Sequence, residues 1–503
     1  MSKSLRGSAV FAGLVVMVLG VSQVAFAGGA TTQQSQDPAA SSSETSKVAK
    51  SQTKSKKSKK KKATNNSFIV LGTYAPQTTV LPSASSNITP MAAEPLVTPR
   101  RVVAAEKTPG IHILPTEEPP ATVASAGQLV ISEFRVRGIN GLNDEFIEIA
   151  NVSGADHTVA PLSGTGYGIA ASDGTTRCSI PTGTVIPNRG HYLCVNSIGY
   201  SLASYPAGNG TTATGDATYT TDIADNAGIA IFNNNTGGAS YSLPNRLDAV
   251  GSTSEANTLY KEGTGYPALV PFSINYSFYR DNCGKGGSIT TFGACPTGGN
   301  LKDTNNNAAD FVFVDTNGTS AGAGQRLGAP GPENLSSPIE RNASFAVNLL
   351  DVCTAPASPP NRVRDFTSDP PNNSTFGTLD VRRTVVNNTG GNVTRLRFRV
   401  VDLTTFPAPS GIADLRPRSS NAVVVTVDRP PCGSGTSNVT VQGTALEQPP
   451  SQANGGGFGS SMSVGVVTLA TPIANGASVD VRFLLGIQQT GSFKFFINVE
   501  ALP

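Results

Sequence analysis

Apolar and polar residues begin to alternate with a period of two at residue 128, and before that point the chain shows almost no hydrophobic rhythm. The run 129–136 (LVISEFRV) reads as a mostly buried strand and 145–149 (EFIEI) as a half-buried one. Further strands are expected at 166–170, 191–195, 229–232, 248–250 and 311–314, separated by Asn, Gly and Pro clusters at the spacing of a sandwich or barrel. A second series follows at 379–386, 393–401, 422–427, 438–441, 463–469, 479–485 and 493–499, joined by Asn-Gly and Gly-rich turns. The pattern predicts an all-β chain, with two antiparallel β-sandwiches following a disordered N-terminal region.

The N-terminal region divides further. Lys3 and Arg6 precede an apolar run at 9–21, and Ala25-Phe26-Ala27 follows, which together describe a secretory signal peptide cleaved after Ala27. Residues 28–126 are dense in Ser, Thr, Gln, Ala, Lys and Pro and cannot bury enough apolar surface to offset chain entropy, so they are expected to be a disordered linker. The first sandwich is assigned to 127–336, a linker ending in the Pro-rich run 355–360 to 337–360, and the second sandwich to 361–503.

Composition changes this picture in one respect. The formal net charge of +3 hides a lysine tract at 46–62 that includes Lys56, Lys57, Lys59, Lys60, Lys61 and Lys62. From position 63 onward 26 basic residues face 32 acidic ones, so an acidic body follows a basic stalk. The tract reads as an electrostatic hold on anionic polysaccharide, envelope phosphate or nucleic acid, or equally as a solvated tether. With no Trp, three His and 6% aromatics, the side chains that serve enzymes and sugar-stacking platforms are scarce.

Six cysteines, Cys178, Cys194, Cys283, Cys295, Cys353 and Cys432, fit an oxidising compartment, and none has zinc spacing. Many pairings are possible. The sequential one, 178 with 194, 283 with 295 and 353 with 432, closes the shortest loops.

The string LVISEFRVRGINGLNDEFIEIANVSG at 129–154 resembles the opening of the lamin-tail domain, an immunoglobulin-like sandwich of nuclear lamins and many secreted bacterial proteins. DNAGIAIF at 225–232, RLDAVG at 246–251, YSFYR at 276–280 and DTNNNAADFVFV at 303–314 extend the likeness over 126–336. VRRTVVNNTG at 381–390 is similar, more loosely, to the strand and turn of bacterial surface sandwich repeats. What the lamin-tail resemblance implies is a non-catalytic binding or scaffolding module, in bacteria often joined to other extracellular domains, some of them hydrolytic.

No HExxH, GxSxG, P-loop or paired zinc motif occurs, so no catalytic residue is assigned and no enzyme is expected. Glu145 and Glu148 fall on opposite faces of one strand, which argues against a shared acid–base site, and His157 and His191 read as structural. Asp303, Asn305, Asn307 and Asp310 space oxygens as a calcium loop does, without the Gly and Glu of an EF-hand, and the other reading is an Asx-rich turn. In 393–400, Arg395, Arg397 and Arg399 point away from Leu396, Phe398 and Val400. That stripe, joined by Arg382 or Arg383 on a neighbouring strand, would hold carboxylate or phosphate or else form a solvated edge. No cofactor is expected beyond calcium. The reading is a secreted, cell-surface-associated bacterial protein without a transmembrane segment. Its expected partners are envelope polymer or another surface protein, with anionic polysaccharide or nucleic acid taken by the lysine tract. An accessory or degenerate part of an extracellular nuclease or phosphatase system, and a carbohydrate-binding module, are the alternatives.

Overall fold

The computed structural model describes residues 71–72, 124–270, 273–282, 301–317, 325–405, 413–451 and 453–503. The segment 1–27, nearly all of 28–126 with its lysine tract, and the Cys283–Cys295 pair lie outside the described residues. Those described belong to one compact unit, Asn65–Pro503.

They are almost wholly β-structure. A seven-stranded sheet runs, edge to edge, Gln325–Leu327, Phe311–Asp315, Tyr276–Arg280, Leu129–Arg135, Phe146–Asn151, His191–Asn196 and Ala217–Tyr219. A four-stranded sheet, Arg246–Val250, Ile229–Phe232, Gly166–Ala171 and Thr176–Pro181, packs against it. Their shared core takes Leu129, Ile131, Phe134, Ile147 and Ile149 from the first and Tyr167, Ile169, Ile229 and Ile231 from the second. Phe134 and Phe278 stack there with ring centroids 5.1 Å apart, and burying each such ring stabilises the fold by about 1.5–3 kcal/mol.

One irregularity in this sheet aims the side chains of interest. Leu129 and Ile131 point into the core, so strict alternation would send residue 133 there too. A register shift between Ile131 and Glu133 interrupts the pairing, after which Phe134 faces the core and Glu133 turns to the opposite face. Such a bulge re-aims a strand without ending it. On the adjacent strand Ile147 and Ile149 fill the core, which leaves Glu148 beside Glu133, its register partner.

The second sandwich has a sheet containing Phe495–Leu502, Arg395–Leu403, Ser461–Ser463 and Ala445–Gln448, and another containing Phe345–Leu349, Thr378–Asn387, Ser478–Gln489 and Asp414–Arg418. Leu396, Phe398, Val400, Ile497 and Val499 meet Val381, Val385, Phe483 and Leu485 between them. Two disulfides are present among the described residues, both as the sequential pairing anticipates. Cys178–Cys194 joins the two sheets of the first sandwich, with Cα atoms 6.4 Å apart. Cys353–Cys432 closes a longer loop beside the second.

Two expectations need correction. Residues 337–360 are not a plain linker, because Ile339–Glu340 pairs with Phe495–Leu502 and Phe345–Leu349 pairs with Thr378–Asn387. The strand expected at 463–469 stops at Ser463; Thr468 and Thr471 close a hydroxyl-bonded turn that leaves Leu469 exposed. Strands at Thr176–Pro181, Asp414–Arg418 and Ala445–Gln448 escape the periodicity reading, being short and rich in polar residues.

Candidate functional site

Arg397 and Arg399 share the face of Arg395–Leu403 opposite the apolar core, as alternation requires, but that face is not open to solvent. The segment 328–338 and the first sandwich cover it. Arg397 Nε donates to Glu500 Oε2 at 2.5 Å, and its terminal nitrogens reach Glu333 and the carbonyl of Ala207. Arg399 Nε donates to Glu500 Oε1 at 2.8 Å, and one Nη lies 3.0 Å from Glu333 Oε1. The stripe read as an anion site or solvated edge is instead largely consumed by two glutamates, one from each sandwich region. Arg395 is half-buried, with its guanidinium against Gly210. Arg382 and Arg383 lie on Thr378–Asn387, in the other sheet, so they do not extend the stripe. Arg382 pairs with Asp380, and burial pulls Arg383 down to about 10.

Beyond this pairing the network continues into the first sandwich. The backbone N–H of Glu333 donates to Glu148 Oε2 at 2.7 Å, and Ser132 Oγ donates to Glu148 Oε1 at 2.5 Å. His191 stands between two carboxylates, Nε2 3.8 Å from Glu148 Oε1 and Nδ1 3.4 Å from Glu333 Oε2. It is therefore not simply packed in the sandwich, as the sequence suggests. His157 is: it is buried, and its Nε2 meets the Tyr167 hydroxyl at 3.1 Å.

The environment sorts these acids. Burial pushes Glu148 up to about 8, with Glu133 and Glu333 adding to the rise and His191 opposing it. Burial likewise raises Glu133 to about 7. For Glu333 burial also acts upward, but Arg399, Arg397 and His191 together outweigh it and hold the carboxyl at about 2. At neutral pH the floor thus pairs two guanidiniums with two carboxylates, while two further glutamates retain protons to a large extent. Glu145 sits apart, receiving Asn196 Nδ2 at 2.9 Å and the Ile223 N–H at 2.8 Å, and burial lifts it to about 8.

Above this floor opens a cleft of about 610 Å³ lined by both sandwiches. Asn188, Asn282 and Asn498 contribute amides to its wall, which also takes in Asp303 and Arg280. The Asn188 amide oxygen is buried without a hydrogen-bond partner among the described residues. Arg189, Arg280 and Arg399, the arginines of the wall, are each ion-paired.

The proposed calcium loop does not converge as its spacing suggests. Asp310 accepts from the Thr304 N–H at 3.0 Å and the Thr304 hydroxyl at 2.7 Å, a capping role. Asn307 is buried and braces backbone: its Oδ1 takes the N–H groups of Gly251 and Glu262, and its Nδ2 donates to Ala249 O. Asn305 is exposed in the left-handed region, with φ 54°. Only Asp303 meets other acids, Asp248 and Glu262. Lys56, Lys57, Lys59, Lys60, Lys61 and Lys62 are outside the described residues.

The cleft residues Glu333 and Glu500, and Glu133 beside them, were invisible to motif reading because isolated glutamates carry no signature. The bulge after Ile131 was the nearest signal, since it breaks the alternation of LVISEFR. No family of known proteins, no curated protein and no solved structure matches the chain. What the fold and cleft define is a class: a disulfide-bonded all-β protein with a polar, ion-paired cleft where its sandwiches meet. Among the described residues, no helix is long and apolar enough to cross a membrane.

Proposed function

We propose that the protein is secreted and acts at the bacterial cell surface as a non-catalytic binding and scaffolding protein, with the cleft between its sandwiches as the ligand site. The lamin-tail-like character of 126–336 is part of this reading, and the disulfides accord with an extracellular setting. The observation that carries it is the cleft wall. Its amides from Asn188, Asn282 and Asn498 can exchange hydrogen bonds with a ligand, whereas its arginines are already ion-paired. Such a wall suits the hydroxyls and amides of a neutral envelope polysaccharide better than phosphate, which would need an uncommitted guanidinium. Among the described residues the lining has one tyrosine, Tyr279, and it is buried, so recognition proceeds by hydrogen bonding rather than by stacking. Glu148, Glu333 and His191 of the same lining stand against one another. The lysine tract adds a separate, salt-sensitive hold on anionic polymer.

Co-sedimentation of the mature protein with insoluble envelope polysaccharide at low and high salt tests the proposal. Retention is expected at high salt, where only the cleft acts, and it should fall about tenfold in the Asn188→Ala/Asn282→Ala variant, about 1.4 kcal/mol. Loss of all retention at high salt would remove the cleft as the site. Release of reducing sugar, phosphate or cut DNA by the purified protein would overturn the non-catalytic reading.

A further inference from the structure

Beside the cleft, reached through Asp303 of its lining, carboxylates from three separate segments converge. Asp248 lies in Arg246–Val250, Glu262 follows the short turn Thr258–Tyr260, and Asp303 precedes the helical turn Asn307–Asp310. One oxygen from each can be chosen so that all lie within 4.8 Å of one another. Oxygens on opposite sides of a calcium ion stand about 4.6–5.2 Å apart, given metal–oxygen distances of about 2.3–2.6 Å. The spacing therefore suits one shared ion.

Proximity of acids alone would mean little, but two further features point to a ligand. The Arg280 guanidinium donates to Asp248 Oδ2 at 2.5 Å and lies 3.5 Å from Asp303 Oδ1, and Arg246 reaches Glu262 Oε1 at 3.1 Å. Among the described residues, this leaves Asp248 Oδ1 and Glu262 Oε2 buried without hydrogen-bond partners, in residues only 1% and 6% exposed. A buried carboxylate oxygen without a donor is costly, and a cation is the partner that would satisfy both. Four carboxyl groups, those of Asp248, Glu262, Asp303 and Asp310, face two guanidiniums, Arg280 and Arg246.

The neighbouring chain holds the acids in place. Asn307 receives the N–H groups of Gly251 at 2.9 Å and Glu262 at 3.0 Å and donates to Ala249 O at 2.8 Å, so one amide ties together the segments carrying Asp248 and Glu262. Supports of this kind pre-orient metal ligands. Asp303, whose side chain is 22% exposed and lines the cleft, provides the way in.

We infer that Asp248, Glu262 and Asp303 form a calcium site beside the cleft, with water completing the ion's shell. This set retains Asp303 from the loop that the sequence singles out and replaces its asparagines and Asp310 with acids distant in the chain. The site is independent of what the cleft binds, and its test uses the metal alone.

The chelator-treated, dialysed full-length mature protein is titrated with calcium chloride, and separately with magnesium chloride, by calorimetry at pH 8, with melting followed in parallel. The expected result is one calcium per chain with a dissociation constant of about 10⁻⁴–10⁻³ M or tighter, a raised Tm, and weaker binding of magnesium, which demands stricter geometry. Asp303→Asn should weaken calcium binding at least tenfold while melting as the parent does in chelator. Glu262→Gln should do the same, and Asn305→Gly, which suits the positive φ there, should leave binding intact. Absence of heat and of any Tm change would overturn the site. So would undiminished binding by Asp303→Asn, and a loss in Asn305→Gly as large as that in Asp303→Asn would assign the ion to the loop instead.

Discussion

The backbone N–H of Glu333 donates to the Glu148 carboxyl at 2.7 Å, yet the protein treats the two side chains oppositely. Glu333 lies against two guanidiniums and stays ionised, whereas Glu148 has burial and neighbouring acids against it. This sets the pH dependence of stability. Glu133, Glu145 and Glu148 keep protons that the unfolded chain releases above about 4.5, so stability should fall as pH rises from there to about 8, and then level off. Glu333 acts in the other direction, and its contribution is lost as pH falls from about 4.5 towards 2. Melting followed from pH 3 to 9 should therefore peak near pH 4.5–5. Glu148→Gln, which mimics the protonated acid, should flatten the alkaline limb and melt several degrees above the parent at pH 8. An unchanged limb would show that Glu148 is already ionised. None of this is legible in residues 145–149, where the alternation correctly separates Glu145 from Glu148 but cannot reveal what covers either.

Among the elements, the apolar strands were the easiest to read. Ile229–Phe232 coincides with its expected span, and Phe146–Asn151 and Ser478–Gln489 overlap theirs, because β-branched and aromatic residues recur along them. Short strands such as Ile339–Glu340 exist only because a neighbouring edge, Phe495–Leu502, pairs with them. The segment between the sandwiches depends on close approach in the same way. A Cβ on Gly331 would stand 2.2 Å from an Arg399 Nη and 2.4 Å from the Tyr279 hydroxyl, both fixed within the buried junction. Gly331→Ala should accordingly destabilise by about 1–3 kcal/mol, as overpacking does, and lower the denaturant midpoint with little change in slope. An unaltered midpoint would mean that the junction yields more easily than its packing implies.

Taken as one molecule, the two sandwiches are joined by charge as well as by chain. Glu333 bonds Arg397 and Arg399 across the junction, Arg189 pairs with Glu340, and Tyr279 packs edge-on to Phe458 at 5.7 Å. Breaking a buried pair typically destabilises by about 3–5 kcal/mol, because the partner charge is left stranded. Calorimetry should show one cooperative transition for the folded body, and Glu333→Ala should divide it into two; two transitions in the parent would mean that the junction contributes little. Periodicity was enough for an all-β body, its apolar strands and the two faces of 393–400, and loop length favoured the sequential pairing found for the four described cysteines, since these depend on local alternation and chain separation. Whether the polar face of that strand met water, a ligand or another sheet was decided by packing between segments far apart in sequence. The same holds for the acids that gather with Asp303, because electrostatic partners are chosen by distance in space, and spacing along the chain carries no record of it.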